Sequence, residues 1–148
     1  MTILRVDGLS KRYPAFCLRD VSFSIEEGRV MGLIGRNGAG KTTTIKSILR
    51  LVRPDGGTVQ FLGKPLDMDA SALRREAGYV SGDLCYYPRK RLSQLTAVTK
   101  SFYPSWDDKK YEALLHRFSL DEGKRVCELS AGMKVKYQLA CALSHGAK

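Results

Sequence analysis

Gly35-Arg36-Asn37-Gly38-Ala39-Gly40-Lys41-Thr42 is the stretch on which the rest of the sequence hangs. It fits G-x-x-x-x-G-K-[ST], a loop whose parts each have a task. Glycines let the backbone turn its N–H groups inward around phosphate oxygens without Cβ clashes. A helix that starts at the loop adds its positive dipole end. Lys41 neutralises β/γ-phosphate charge, and the Thr42 hydroxyl suits Mg²⁺. The ordinary alternative is a Gly-rich surface turn ahead of a helix, so the flanks matter.

Upstream of the loop, Val30-Met31-Gly32-Leu33-Ile34 is a continuous apolar run, the pattern of a parallel strand buried on both faces. Downstream, Ile45, Ile48, Leu49 and Val52 fall at i, i+3, i+4 and i+7, which predicts a helix over 42–51. Ile3, Leu4 and Val6 suggest a first strand. Val21, Phe23 and Ile25 alternate as a half-buried strand does. Pro54-Asp55-Gly56-Gly57 is a turn, followed by a strand over 58–62. A short helix over 71–76 and a brief strand at Tyr79-Val80 come next. Beyond them the pattern is helical. Ser105 with Asp108 reads as a capping box for a helix carrying Tyr111, Leu114, Leu115 and Phe118, closed by Gly123. Ser130 reads as the N-cap of a last helix with Val135, Leu139, Ala142 and Leu143 on one face, ending at Gly146.

At 148 residues the chain is sized for one domain or part of one, and 43% hydrophobic with 27% charged residues excludes wholesale disorder. No apolar run approaches the roughly 18 residues of a spanning helix, and no signal-peptide pattern opens the chain, so it is expected to be cytoplasmic. Four cysteines without a C-x2-C pair, and two histidines, give no zinc pattern. His116 and His145 are expected on helix surfaces. The net charge of +10 is shared equally by residues 1–74 and 75–148, which excludes a basic tail. It fits either a solvated basic surface or a polyanion partner. Residues 84–106 contain no acid, but hold Arg89, Lys90, Arg91 and Lys100 among Tyr86, Tyr87, Phe102, Tyr103 and Trp106.

A second motif, Leu129-Ser130-Ala131-Gly132-Met133, has its serine 89 residues after Lys41 and opens a helix. Here the chain resembles the ATP-binding subunits of ABC transporters, whose signature is L-S-G-G-Q. Ser10-Lys11-Arg12-Tyr13 looks like the family's adenine-stacking segment, and residues 20–25 and 30–43 are also similar to its consensus. The resemblance implies an α/β fold: a phosphate-loop NTPase core of ABC type, an antiparallel β subdomain and a helical subdomain, with the C-terminal third missing. It implies one nucleotide-binding domain, with 1–82 as β subdomain and phosphate-loop core, 83–130 as helical subdomain and 130–148 as signature helix. It implies ATP with Mg²⁺, bound in cis by Tyr13, Asn37, Gly38, Gly40, Lys41, Thr42 and Thr43, the metal at Thr42. Ser130 and Gly132 act in trans, in a head-to-tail dimer with a second ATP-binding subunit. The other implied partner is a transmembrane permease subunit, with the chain peripheral on the inner face of the cell membrane. Residues 102–107 are similar to exporters of drug or bacteriocin type.

The sequence departs from the family in two places. Where the family reads G-Y-V-x-Q, this chain has Gly78-Tyr79-Val80-Ser81-Gly82-Asp83. Gly82 has no side chain to meet magnesium or water, which leaves Asp83 as the candidate substitute. The family's hydrophobic strand ending in Asp-Glu, source of its general base, has no counterpart. The chain is therefore expected to be the N-terminal part of a longer ATPase, or a truncated product, and inactive alone. Rival readings are a soluble ABC-type ATPase acting on nucleic acid or ribosomes, and a module that only binds nucleotide. The 89-residue spacing leaves no room for the long insertions of the former, so no specific nucleic-acid partner is expected. A phosphate-loop kinase or GTPase is disfavoured by Leu129 to Met133 and by the lack of N-K-x-D.

Overall fold

The computed structural model describes residues 1–66, 71–82 and 87–147. The chain divides into two compact units, Met1–Leu73 and Arg74–Lys148.

In the first unit, β1 (Thr2–Tyr13) and β2 (Phe16–Glu26) form a long antiparallel hairpin, and β3 (Gly56–Phe61) and β4 (Lys64–Pro65) add to the other side of β1. The sheet order is β2-β1-β3-β4, antiparallel throughout. Alternation places Val21, Phe23 and Ile25 half-buried between exposed neighbours, as their spacing predicts. Val6 pairs with Phe23 on one side and Val59 on the other, and Val6, Leu9, Leu18 and Val59 are buried. Gly57, at φ +89, lies so close to β1 that an added Cβ would stand 2.5 Å from the backbone of Gly8 and Leu9. Only glycine fits there. Helix α1 (Lys41–Ile48) packs on β1 and β2. It is shorter than expected, because Arg50 adopts a left-handed φ of 55° just beyond its end. Ile48 and Leu49 are buried as predicted, but Ile45 is 41% exposed, and Thr44 and Ser47 take the inner face instead.

The apolar run at 30–34 is not the buried parallel strand that its composition suggests. Val30 is 100% and Ile34 95% exposed, and among the described residues no strand pairs with this segment. A run without polar alternation needs cover on both faces, and the antiparallel sheet offers it neither. Tyr79-Val80, likewise without a neighbouring strand, is irregular.

The boundary between the units falls within α2 (Ser71–Glu76). The second unit is helical, with α3 (Leu92–Ser101), α4 (Asp108–Phe118), a 3₁₀ turn at Val126–Glu128, and α5 (Ala131–Ser144). Helix α3 escapes the sequence pattern: its inner residues are Leu92, Leu95 and Thr96, too few to set a clear period. The core joins these to Tyr111, Leu115, Leu120, Val126, Leu129, Tyr137 and Ala140. Asp107, not Ser105, caps α4: its carboxylate accepts from the Lys110 N–H at 2.9 Å. Ser105 instead lies under the C-terminal turn, 3.0 Å from where a Cβ of Gly146 would be. The end of α4 is closed by Ser119 in a left-handed conformation, ahead of Gly123. On α5 the buried residues are Tyr137, Ala140, Ala142 and Ser144; of the expected face only Ala142 is among them, and Val135, Leu139 and Leu143 are 37–40% exposed. His145, expected on a surface, is buried and stacks on Tyr103 with centroids 4.3 Å apart, while His116 is exposed.

Candidate nucleotide-binding site

The phosphate loop is built as its glycines require. Gly38 and Gly40 have φ of 85° and 94°, the left-handed region that a side chain resists. Around Gly38 an added Cβ would meet nothing within 4 Å, so the loop presents bare backbone. Gly40 is the N-cap of α1, and its carbonyl accepts from the Thr44 N–H at 2.8 Å. Among the described residues no acceptor meets the N–H groups of Lys41, Thr42 and Thr43, the orphan donors of a helix start. No acid stands in the first turn of α1 to oppose an anion. Lys41 Nζ donates to the carbonyl oxygens of Gly35 at 2.6 Å and Arg36 at 2.8 Å, drawing the loop closed around its own cation. Asn37 and Thr42 are exposed and Thr43 half-buried. Open amides, glycine conformation and a helix N-terminus together fit a phosphate chain. The Thr42 hydroxyl is one exposed oxygen, and among the described residues no cluster of His, Cys, Asp or Glu could hold a metal alone. A magnesium ion here would share nucleotide oxygens.

Tyr13 ends β1 beside the loop. The residue is 39% exposed, and its ring lies 6.4 Å from the Phe16 ring at an interplanar angle of 30°, with Lys11 Nζ 5.6 Å from its centroid. Lys11 pairs with Asp55 at 2.9 Å, and the other Asp55 oxygen accepts from the Arg12 N–H at 2.7 Å. These bonds, the Arg12 amide foremost, hold the Asp55 carboxyl below its usual range. Nothing in the spacing of the sequence singles out Phe16.

In the helical unit, Ser130 is the N-cap of α5 as expected, its Oγ accepting from the Met133 N–H at 3.2 Å. Gly132 faces open space, with nothing within 4 Å of an added Cβ. Both residues are exposed at a helix N-terminus that carries no acid in its first turn. Gly82, at φ 75°, donates its N–H to Gln138 on α5 at 3.1 Å. Asp83 and Tyr86 lie outside the described residues. The aromatics of the acid-free stretch divide in two. Tyr87 and Phe102 are 65% and 69% exposed, whereas Trp106 turns inward against Tyr111, with centroids 5.1 Å apart.

Below that surface, Thr96 Oγ1 sits 2.7 Å from the Tyr111 hydroxyl and 3.1 Å from that of Tyr137, and Tyr111 donates to Glu122 at 2.9 Å. Burial raises both phenols well above their ordinary range. It also pushes the Cys141 thiol up to about 11.

Known proteins resemble the chain along most of its length. The family model described as "ABC transporter" matches residues 18–148. The ABC transporter ATP-binding protein YtrB of Bacillus subtilis is 34% identical over 131 residues, 88% of this chain and 44% of that protein. The phosphonates import ATP-binding protein PhnC of Treponema denticola is 31% identical over 167 residues, 99% of this chain and 64% of that protein. A solved structure of an ATP-binding subunit of an ABC transporter superposes with a TM-score of 0.80 at 32% identity, covering 94% of this chain and 60% of that one. The chain thus spans 44% to 64% of the lengths of these relatives. Among the described residues no helix is long and apolar enough to cross a membrane. With an α/β phosphate-loop fold, an antiparallel β subdomain and a helical subdomain opening its last helix on Ser130, the chain belongs to the ABC transporter family of ATP-binding proteins.

Proposed function

We propose that the chain is the N-terminal part of one nucleotide-binding domain and binds ATP at Tyr13, Asn37, Gly38, Gly40, Lys41, Thr42 and Thr43. Residues 1–82 serve as β subdomain and phosphate-loop core, 83–130 as helical subdomain and 130–148 as signature helix. The observation that carries the reading is the loop itself: left-handed Gly38 and Gly40 lead into a helix whose first amides are open, with Lys41 at the same place. Thr42 Oγ1 is the ligand this chain would give a Mg²⁺ ion, which would supply neutralisation of phosphate charge. The orphan amides orient the phosphates, and Tyr13 offers the base an aromatic face.

Ser130 and the Gly132 N–H would complete the site of a second, head-to-tail copy. Their placement at an open helix N-terminus suits a γ-phosphate. Such a dimer would power a transmembrane permease from the inner face of the membrane. Export of drug or bacteriocin type rests on residues 102–107, of which Phe102 is largely exposed. The import protein among the relatives favours the other direction, and transport in vesicles with a co-expressed permease distinguishes them.

The deciding experiment is titration of the chain with Mg-ATP, alongside phosphate release. Saturable binding that Lys41→Ala weakens at least fivefold is expected, with release at background because the sequence has no apolar run ending in Asp-Glu. Binding indifferent to Lys41 overturns the reading.

A further inference from the structure

We propose that Phe16 is a positioning residue of the nucleotide site, linking the Tyr13 ring to the phosphate loop through Gly40. This rests on the ATP-binding reading above and extends it to a residue outside the loop and outside the stacking segment.

Phe16 opens β2 and is the register partner of Tyr13 across the hairpin turn. Directly paired residues of an antiparallel ladder share a face, so their rings meet. The separation of 6.4 Å at 30° is an offset contact, which leaves much of the Tyr13 ring uncovered. The Cζ–Cε1 edge of the Phe16 ring bears on the loop. An added Cβ at Gly40 would stand 2.8 Å from Phe16 Cζ and 3.6 Å from Cε1, and 2.9 Å from Leu18 Cδ1. Gly40 is buried there, although its loop neighbours from Met31 to Ala39 are exposed. One half-buried ring therefore touches both the aromatic offered to a base and the residue from which α1 starts. Lys11, held by Asp55, restrains Tyr13 independently. The spacing between base and phosphates is consequently set by Phe16: it fixes where Tyr13 stands relative to the loop amides.

Two properties of the ring separate under substitution. Phe16→Leu keeps apolar bulk against Gly40 but removes the partner of Tyr13, whereas Phe16→Ala removes both. The test titrates the full chain with Mg-ATP and with inorganic tripolyphosphate, which has no base, using circular dichroism to confirm that each variant folds. Tyr13→Ala is expected to lose about tenfold for ATP, within the range of one base–aromatic stack, and less than twofold for tripolyphosphate. Phe16→Leu is expected to lose about fivefold for ATP only, and Phe16→Ala at least fivefold for both ligands. The double variant Tyr13→Ala/Phe16→Leu should bind ATP no worse than Tyr13→Ala alone, because coupled residues are not additive.

ATP affinity of Phe16→Leu within twofold of the parent, or losses that multiply in the double variant, overturn the proposal. If the parent binds neither ligand, it is the nucleotide reading that fails. Amide exchange over 36–42 in the free protein then tests the mechanical link alone: faster exchange in Phe16→Ala but not Tyr13→Ala upholds it, and unchanged exchange overturns it.

Discussion

The ammonium group of Lys41 donates to the carbonyl oxygen of Gly35 at 2.6 Å, so the loop's cation is engaged by the loop before any ligand arrives. A phosphate bound at the proposed site would exchange this bond, and that to Arg36, for its own.

That exchange sets the size of the Lys41→Ala effect. A hydrogen bond to a charged group is worth about 1.5–3 kcal/mol, and the bonds given up offset part of it. A net loss of roughly 1–2 kcal/mol, or about five- to thirtyfold in ATP affinity, is expected by calorimetry. Tripolyphosphate should lose as much, since in the proposed site Lys41 would meet the phosphates and not the base.

Gly40→Ala and Gly132→Ala should move in opposite directions. At Gly40 the new methyl meets Phe16 and Leu18 below 3 Å in a left-handed backbone. Backbone strain of about 1–2 kcal/mol joins overpacking of about 1–3 kcal/mol, and thermal melting should fall markedly. At Gly132 the space is open and the residue helical, so alanine should be neutral or stabilise by up to about 1 kcal/mol.

Thr96→Val deletes an oxygen shared by Tyr111 and Tyr137 while keeping the shape of the side chain. Tyr111 retains Glu122, and Tyr137 keeps only the weakly bonding Cys141 thiol, so the loss is about 0.5–1.5 kcal/mol. Chemical denaturation should show the loss, and adding Tyr137→Phe should recover part of it.

Cys127 is exposed, and burial holds the Cys141 thiol near 11. Only the thiolate reacts, so at pH 8 maleimide should modify Cys127 rapidly and leave Cys141 nearly untouched in peptide mass spectra. Raising the pH toward 10 should accelerate Cys141 as its thiolate fraction grows, and unfolding should abolish the difference.

What the sequence reveals follows the range of the forces involved. The conformations of Gly38 and Gly40 and the Ser130 cap are dictated within a few residues, and both stand as read. Ser105 and Asp107 could each cap α4, and the choice falls to a contact with Gly146, forty-one residues later in the chain. The same holds for His145 under Tyr103 and for Phe16 against Gly40: hairpin and loop are separate in sequence, and only packing joins them. The run at 30–34 misleads because apolarity states a need for cover without saying whether any strand meets it.

That run also governs how the molecule behaves in a crowd. With Val30 and Ile34 open, the segment offers apolar surface to which like molecules can adhere. Opposing this is a net charge of +10, which keeps like molecules apart only while their fields reach one another. The reach shrinks from about 30 Å at 0.01 M salt to about 8 Å at 0.15 M. Ionic strength therefore acts as the thermostat of self-association: dilute buffer favours single molecules, and added salt lets the apolar segment find its like.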